Sequence, residues 1–529
     1  MNWFLLSLLL FLFYGILKTK KVLQILQQNW YNDGNRYLKW ISKNKRKVFM
    51  NFDMLFPVFL LGIIIPVKYS LILFIIFYMV AFFILDKEKQ KEQVKLKLAV
   101  TARIKRLILT STLIYGIIIT IMCLIFNEKY IWLYYLILGF IMYFEYLYMY
   151  IVNIINKPIE RCVFLHYKKQ ALKKLKNMSN MDVIGITGSY GKTSSKNILS
   201  DILNIKYNAF PTPKNFNTTY GMINAINNYL DKFNDLFIAE MGAFKCGEIK
   251  EICDLLHPKY GILTRIGTAH LESFGSRENI QKGKFELIES LPSDGVGILN
   301  GDDEYQLNYK LKNKVKIIWI GIDNKDVDIY ADNIKLSNTG TTFDVHFKGD
   351  KKKYHFETKL LGKANIYNIL AGIALGDYLK ISKEDLIRGV KKVNSIEHRL
   401  ELKKMGNINI IDDAYNSNPV GSKMAIDVLG LMPGKKIIVT PGMIELGSEQ
   451  YNLNFEFGRE IAKVCDEVIL IGKEQTKPIY DGLLKEKYDI KHVHILNDVK
   501  KAFPLINSLS EGETYALLEN DLPDIFNEK

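Results

Sequence analysis

The run Gly185-Ile186-Thr187-Gly188-Ser189-Tyr190-Gly191-Lys192-Thr193-Ser194 holds the residue types and spacing best suited to chemistry. It follows an apolar strand-like segment, Val183 to Ile186, and precedes a helix-like one, Ser195 to Leu203, with apolar Ile198, Leu199, Ile202 and Leu203. Glycines at such a turn let backbone N–H groups close on phosphate oxygens, and the helix N-terminus adds partial positive charge. Lys192 is then placed to reach β/γ-phosphate oxygens and Thr193 to ligate Mg²⁺, with Gly188, Ser189, Tyr190, Gly191 and Ser194 completing the cradle. Ile186 stands where the common phosphate-loop pattern has its first Gly. The strand–turn–helix context still reads as an ATP site.

The elements around this loop divide the chain. Residues 1 to about 156 are long apolar runs broken by basic clusters, and the remainder alternates short apolar strands with amphipathic helices, the pattern of an α/β protein. Five apolar segments, 3–17, 54–67, 70–85, 107–126 and 130–155, are predicted as membrane spans of an α-helical membrane domain, the last two long enough to cross alone. The pair 54–67 and 70–85 reads as a tight hairpin, a thin span or a re-entrant pair. The first segment lacks a basic start and a cleavage site and is followed by Lys18, Lys20 and Lys21, so it reads as a span rather than a signal peptide. Residues 18–53 carry nine Lys/Arg against two Asp, and 86–106 and the 157–180 linker are also basic. The positive-inside rule then puts these loops and the α/β part in the cytoplasm and the N-terminus outside a multi-pass cell-membrane protein. The net charge of +15 is accordingly read as topology and contact with anionic membrane lipid. No basic stripe with aromatic interleaving marks the α/β half for nucleic acid. Five cysteines without metal-ligand spacing read as reduced thiols. Glu145, inside the last apolar segment, is either a functional intramembrane carboxylate or, among Tyr143, Tyr146, Tyr148 and Tyr150, a snorkelling interfacial one.

Beyond the phosphate loop, the strand 235–239 ends in Glu240-Met241-Gly242-Ala243, a carboxylate at a strand tip suited to holding Mg²⁺. The strand 260–264 leads into Gly267-Thr268-Ala269-His270-Leu271-Glu272 and then Lys282-Gly283-Lys284. The order of these motifs resembles the Mur ligase superfamily, ATP-dependent amide ligases that build peptidoglycan peptides. The resemblance implies a central ATP-binding domain over 181–395 and a Rossmann-like C-terminal domain over 396–529. It implies that Glu240 and Thr193 bind a first Mg²⁺, that His270 ligates a second, and that Lys284 is carbamylated and bridges to that second ion. Asn217, in Lys214-Asn215-Phe216-Asn217-Thr218, matches an asparagine-rich substrate loop. Asn300, in Asn300-Gly301-Asp302-Asp303, and Asn365 and Asn368, in Gly362-Lys363-Ala364-Asn365-Ile366-Tyr367-Asn368, match nucleotide-side segments. Arg399 is implied at the γ-phosphate and Asp413 at the ribose. Asp412-Asp413-Ala414-Tyr415-Asn416-Ser417-Asn418-Pro419, with Tyr415, Asn416 and Asn418 toward substrate, and Gly442-Met443-Ile444-Glu445-Leu446-Gly447 are similar to the MurF branch in particular.

The resemblance covers 181–529 and departs from the branch in places. Apolar spans stand where a UDP-sugar-binding domain is usual, Ala364 replaces a His, Arg265 an Asn, and Leu517 to Asp524 lacks a Lys-Gly-Ser-Arg segment. The expectation is a membrane-anchored ADP-forming ligase. It would join an amino acid or dipeptide such as D-Ala-D-Ala to a UDP- or lipid-linked cell-wall peptide precursor through an acyl phosphate. Its rivals are a polyglutamate- or folylpolyglutamate-type ligase, against which Tyr415-Asn416-Ser417-Asn418-Pro419 argues, and a non-catalytic nucleotide-binding membrane scaffold.

Overall fold

A computed structural model describes residues 2–91, 97–125, 127–337, 340–414, 418–444 and 446–521. The chain forms two compact units, Met1–His166 and Tyr167–Lys529.

The first unit is helical. Helix Asn2–Gln28 is followed by short helices, a 3-10 segment Phe52–Ile63, and helices Val67–Lys91, Ala102–Leu124, Ile131–Tyr143 and Glu145–Lys176. Two of these, over Val67–Lys89 and Ala102–Leu124, are long and apolar enough to cross a membrane, and a third crossing arises if the last two helices count as one span. The predicted span 54–67 is instead the twelve-residue 3-10 segment, with Pro57 inside it. A proline there lacks an amide donor and clashes with a regular α-turn. It walls a cavity of about 480 Å³ against the following helix, lined by Phe52, Leu55, Val58, Leu73, Ile76 and Phe77 among others.

The predicted continuous span 130–155 bends by 75° between Tyr143 and Glu145. Side chains from the first helix meet the break. Lys18 Nζ donates to Met142 O at 2.6 Å, capping a last-turn carbonyl, and also pairs with the buried Asp53, to which Tyr14 OH donates at 2.8 and 2.9 Å. Glu145 is fully buried rather than snorkelling, taking hydrogen bonds from Thr19 Oγ1 and Tyr115 OH, both at 2.6 Å.

The second unit holds two sheets. Nine strands, β1 (Asp182–Thr187), β2 (Ala209–Pro211), β3 (Leu236–Glu240), β4 (Tyr260–Leu263), β5 (Val296–Asn300), β6 (Lys316–Gly321), β7 (Ile329–Ser337), β8 (Gly340–Phe347) and β9 (Lys353–Thr358), lie in the order β2-β3-β1-β4-β5-β6-β7-β8-β9. They run parallel from β2 to β7, and β8 and β9 return antiparallel. β1, β3, β4 and β5 are buried almost throughout, which is why they read as continuous apolar runs rather than alternating ones. Helices Lys192–Leu203 and Lys363–Tyr378 cover one face through Ile198, Ile202, Ile369 and Ile373. The second sheet comprises β10 (Glu401–Met405), β11 (Ile408–Asp413), β12 (Lys435–Thr440), β13 (Glu467–Ile471), β14 (Val493–Leu496) and β15 (Thr514–Glu519), in the order β10-β11-β15-β12-β13-β14. All but β10 are parallel, the doubly wound arrangement that presents ligands at the carboxyl ends of strands.

Candidate active site

The phosphate loop caps β1 and opens helix Lys192–Leu203. Two of its glycines are required by geometry. Gly191 has φ 77°, a left-handed conformation, and a Cβ on Gly188 would lie 1.9 Å from Thr264 Oγ1. That closeness comes from the loop after β4, which clamps the phosphate loop. Thr264 Oγ1 donates to Tyr190 O at 2.6 Å, Ser189 N donates to Arg265 O at 2.8 Å, and Thr268 N donates to Tyr190 OH at 2.9 Å. Lys192 folds back over the loop, with Nζ 2.8 Å from Gly188 O and 3.4 Å from Ser189 O. Its pKa is lowered by burial and by Arg399, and raised in part by Glu240. Asn368 lies beneath Gly191, where a Cβ would sit 3.4 Å from its Oδ1.

Glu240 ends β3 and is 2 % exposed. Thr193 Oγ1 donates to its Oε1 at 3.1 Å, and Asn217 Nδ2 approaches the same oxygen at 3.4 Å. Oε2 accepts no well-aligned hydrogen bond and faces the Lys196 ammonium at 3.0 Å. A hydroxyl and a buried carboxylate oxygen converging at the loop are hard oxygen donors of the kind Mg²⁺ takes, so this pair fits the first ion.

His270 sits at φ 61° with its ring edge-on to Phe244, centroids 4.5 Å apart. Lys284 is 1 % exposed, its Nζ 3.5 Å from Ala243 O and 5.5 Å above the Phe274 ring. His270 and Lys284 therefore flank one stretch of backbone, Ala243–Phe244. Burial, and then the Lys192 ammonium, pull the Lys284 pKa well below its usual value. Among the described residues no group of three or more His, Cys, Asp or Glu is placed to hold a metal ion. His270 belongs to no such group among the described residues.

The remaining positions divide. The Asn300–Asp303 turn is an internal scaffold. Asn300 Oδ1 accepts from Asp302 N at 2.9 Å, and Asp302 takes Ile322 N, Asn324 N and Tyr367 OH at 2.6, 2.6 and 2.8 Å. Asn365 Nδ2 donates to Leu361 O at 2.8 Å, within its own segment. Asn418 caps helix Pro419–Gly430, its Oδ1 accepting from Gly421 N at 2.9 Å. Tyr415 and Asn416 lie outside the described residues. Arg399 stands between two left-handed residues, His398 at φ 58° and Leu400 at φ 49°, within electrostatic reach of Lys192 and Asp413. Asp413 ends β11 and accepts from Leu400 N at 3.3 Å. Burial, opposed by Arg399 and reinforced by Glu519, raises it to about 7.

Two residues went unnoticed in the sequence. Lys196 is visible only as a lysine on the buried side of an amphipathic helix, one turn beyond Lys192. Glu519, fully buried at the tip of β15, accepts from Ser422 Oγ and Thr440 Oγ1, both at 2.7 Å. It reads in sequence as an ordinary strand-end glutamate.

The phosphate loop beside the Glu240 carboxylate, the buried Lys284, and Arg399 and Asp413 on a second α/β domain stand in an ATP-dependent, ADP-forming ligase. Residues 186–376 match the Mur ligase middle domain, and 398–518 match the Mur ligase, glutamate ligase domain. The chain belongs to the Mur ligase family, and within it to the MurF type. It is 33 % identical over 326 residues to the UDP-N-acetylmuramoyl-tripeptide–D-alanyl-D-alanine ligase of Bacillus subtilis (60 % of this chain, 69 % of that protein). It is 30 % identical over 296 residues to the enzyme of the same name from Escherichia coli (55 % and 65 %). The chain thus spans about two-thirds of the length of these curated relatives. MurF from Acinetobacter baumannii superposes with a TM-score of 0.61 at 24 % identity, covering 68 % of this chain and 77 % of that one. MurF ligase from Thermotoga maritima in complex with ADP gives 0.60 at 24 %, covering 68 % and 80 %. These last two are likenesses of fold.

Proposed function

We propose that this chain is a membrane-anchored MurF-like ligase that joins D-Ala-D-Ala, or a similar amine, to a muramoyl-peptide carboxylate. The observation that carries this reading is the convergence of Lys192, Thr193 and Glu240 at the carboxyl ends of β1 and β3, with Lys284 buried nearby as a weakly basic amine. The curated relatives, named for that reaction, support the substrate class.

ATP phosphorylates the acceptor carboxylate. The amine attacks the resulting acyl phosphate, and the tetrahedral intermediate expels phosphate to leave the amide. Mg²⁺, when bound, supplies charge neutralisation at the β/γ-phosphates. Thr193 and Glu240 would hold it, Lys192 would turn from Gly188 O onto the phosphates, and Arg399 would meet the transferring group from the other domain. Asp413 takes the ribose hydroxyls. The neutral Lys284 amine would add CO₂ and lose a proton to become an anionic carbamate, and this carbamate with His270 would hold a second ion. Closure of the two α/β domains about residue 396 excludes water from the acyl phosphate.

The membrane reading rests on the first unit. Helix Ala102–Leu124 exposes Leu109, Leu113, Ile117 and Ile121, one per turn, an apolar stripe suited to lipid. The basic residues of 157–180, which lie on helix Glu145–Lys176, favour the cytoplasmic side for the ligase domains. A lipid-linked acceptor is the variant favoured by apolar helices standing where a UDP-sugar domain is usual.

The test is phosphate release by the detergent-solubilised full chain with ATP, Mg²⁺ and D-Ala-D-Ala. The acceptor is UDP-N-acetylmuramoyl-tripeptide or its lipid-linked counterpart. Turnover with the UDP form makes the first unit an anchor, and turnover only with the lipid form makes it part of acceptor binding. No turnover with either overturns the proposal and moves the weight to a polyglutamate-type ligase or a scaffold.

A further inference from the structure

Lys196 is 1 % exposed, and its Nζ has two partners. One is Glu240 Oε2 at 3.0 Å, and the other is Lys214 O, to which it donates at 2.6 Å. The Glu240 carboxylate is therefore split between two environments. Oε1 faces Thr193 and Asn217, while Oε2 faces the ammonium. Lys214 is itself in a left-handed conformation, φ 50°, at the start of the segment that carries Asn217. That segment closes on the strand tip after Glu240, since Gly242 N donates to Asn217 O at 2.7 Å. A Cβ on Gly242 would sit 2.9 Å from Asn217 Cγ.

We propose that Lys196 is a positioning residue that turns the metal-binding oxygen of Glu240 toward Thr193 and ties that carboxylate to the asparagine segment 214–218. A buried carboxylate needs a counter-charge, and a cation fixed on Oε2 leaves Oε1 as the oxygen turned toward Thr193 and the phosphate loop. A lysine suits the task because one ammonium can serve the carboxylate and a backbone carbonyl together. Through Lys214 O the same ammonium joins the phosphate-loop helix to the segment holding Asn217, so metal occupancy and the order of that segment rise and fall together. This rests on Thr193 and Glu240 being the Mg²⁺ site.

The test is Mn²⁺ binding, read by loss of the free-ion EPR signal, to the detergent-solubilised full chain with ADP present. Amide exchange is followed in parallel over residues 214–218. Lys196→Met is expected to weaken Mn²⁺ about 10- to 100-fold and to speed exchange in that segment. Lys196→Arg, which keeps the charge, should recover part of the affinity. A folded Lys196→Met protein with wild-type Mn²⁺ affinity overturns the proposal. Wild-type protein that binds no Mn²⁺ overturns the metal site itself, a separate result. Should Lys196→Met fail to fold, the double variant Lys196→Met/Glu240→Gln decides. Recovery of folding shows that the ammonium serves the carboxylate, and failure of both assigns it to packing and overturns the proposal.

Discussion

Asp413 links nucleotide binding and stability to pH in opposite directions, and Asp413→Asn separates the two. Half-buried at the tip of β11 and raised to about 7, the carboxyl is mostly protonated at pH 6 and mostly ionised at pH 8. An unfolded aspartate titrates near 4, so the folded chain holds a proton that the unfolded chain has lost across roughly pH 4 to 7. The stabilising contribution of the neutral carboxyl is complete below the unfolded value and is lost as pH rises through about 7. At about 1.4 kcal/mol per unit, the full swing is of order 4 kcal/mol. Under the proposed ribose role, nucleotide binding would run the other way. The ribose hydroxyls would donate to the ionised form, and a hydrogen bond to a charged group contributes about 1.5–3 kcal/mol.

The wild-type KM for ATP is therefore expected to fall roughly tenfold between pH 6 and pH 8, following the ionised fraction of Asp413. In Asp413→Asn it should stay flat, about 10- to 100-fold above wild type at pH 8. Thermal unfolding without nucleotide should show the reverse, with the Asn variant the more stable protein at pH 8 and the gap closing toward pH 4. Initial-rate kinetics and melting curves on the same two proteins provide both readouts. Because the other titrating groups are common to the pair, the difference between them isolates Asp413. Parallel KM profiles for the two proteins would refute the assignment.

Lys192→Ala should abolish phosphate release while leaving the melting temperature within a few degrees of wild type; normal turnover would remove Lys192 from the phosphate site. Lys284→Ala should be inactive and partly rescued by added formate or acetate, and wild-type activity should drop in CO₂-depleted buffer. Absence of both effects excludes the carbamate. Gly188→Ala drives a methyl into Thr264 Oγ1, against a gap of 1.9 Å, and should cost at least tenfold in kcat/KM. Gly188→Ala paired with Thr264→Ala should recover part of that loss if the clash is the cause.

Much of the site was legible because it is local. A glycine turn between a buried strand and an amphipathic helix announces itself through its immediate neighbours, and strands buried on both faces read as apolar runs. The tips of β1, β3, β4 and β11 were found in this way, whereas the turn after β5 was singled out only by its resemblance to a family motif. What was not legible depends on tertiary partners. Lys196 is one of many lysines until β3 supplies Glu240, and Asn300 and Asn418 look available until the structure commits them to a turn and a helix cap. In the first unit, apolarity gave the location of helices but not their breaks. The bend at Phe144 coincides with Lys18, 124 positions away, reaching Met142 O, and the 3-10 run at 52–63 contains a proline within an otherwise span-like stretch.

The corner joining the two α/β domains explains how nucleotide and closure are connected. Arg399 is flanked by His398 and Leu400, both at positive φ, a conformation that costs about 1–3 kcal/mol for each such residue and persists only where surrounding structure enforces it. Here the enforcement is visible. His398 Nδ1 lies 2.7 Å from Asp412 Oδ2, Leu400 N donates to Asp413 Oδ1 at 3.3 Å, and Arg399 N donates back to Ile396 O at 3.0 Å. Arg399 and Asp413 are thus fixed to one another through a single residue, Leu400. With the proposed phosphate role of Arg399 and ribose role of Asp413, a nucleotide that engaged either would draw in both, and the C-terminal domain would answer to the whole ATP molecule rather than to its phosphates alone. Releasing the strain with Leu400→Gly should loosen that linkage. It predicts a larger loss in kcat, which needs Arg399 at the transferring phosphoryl, than in KM, with the reverse pattern expected for Asp413→Asn.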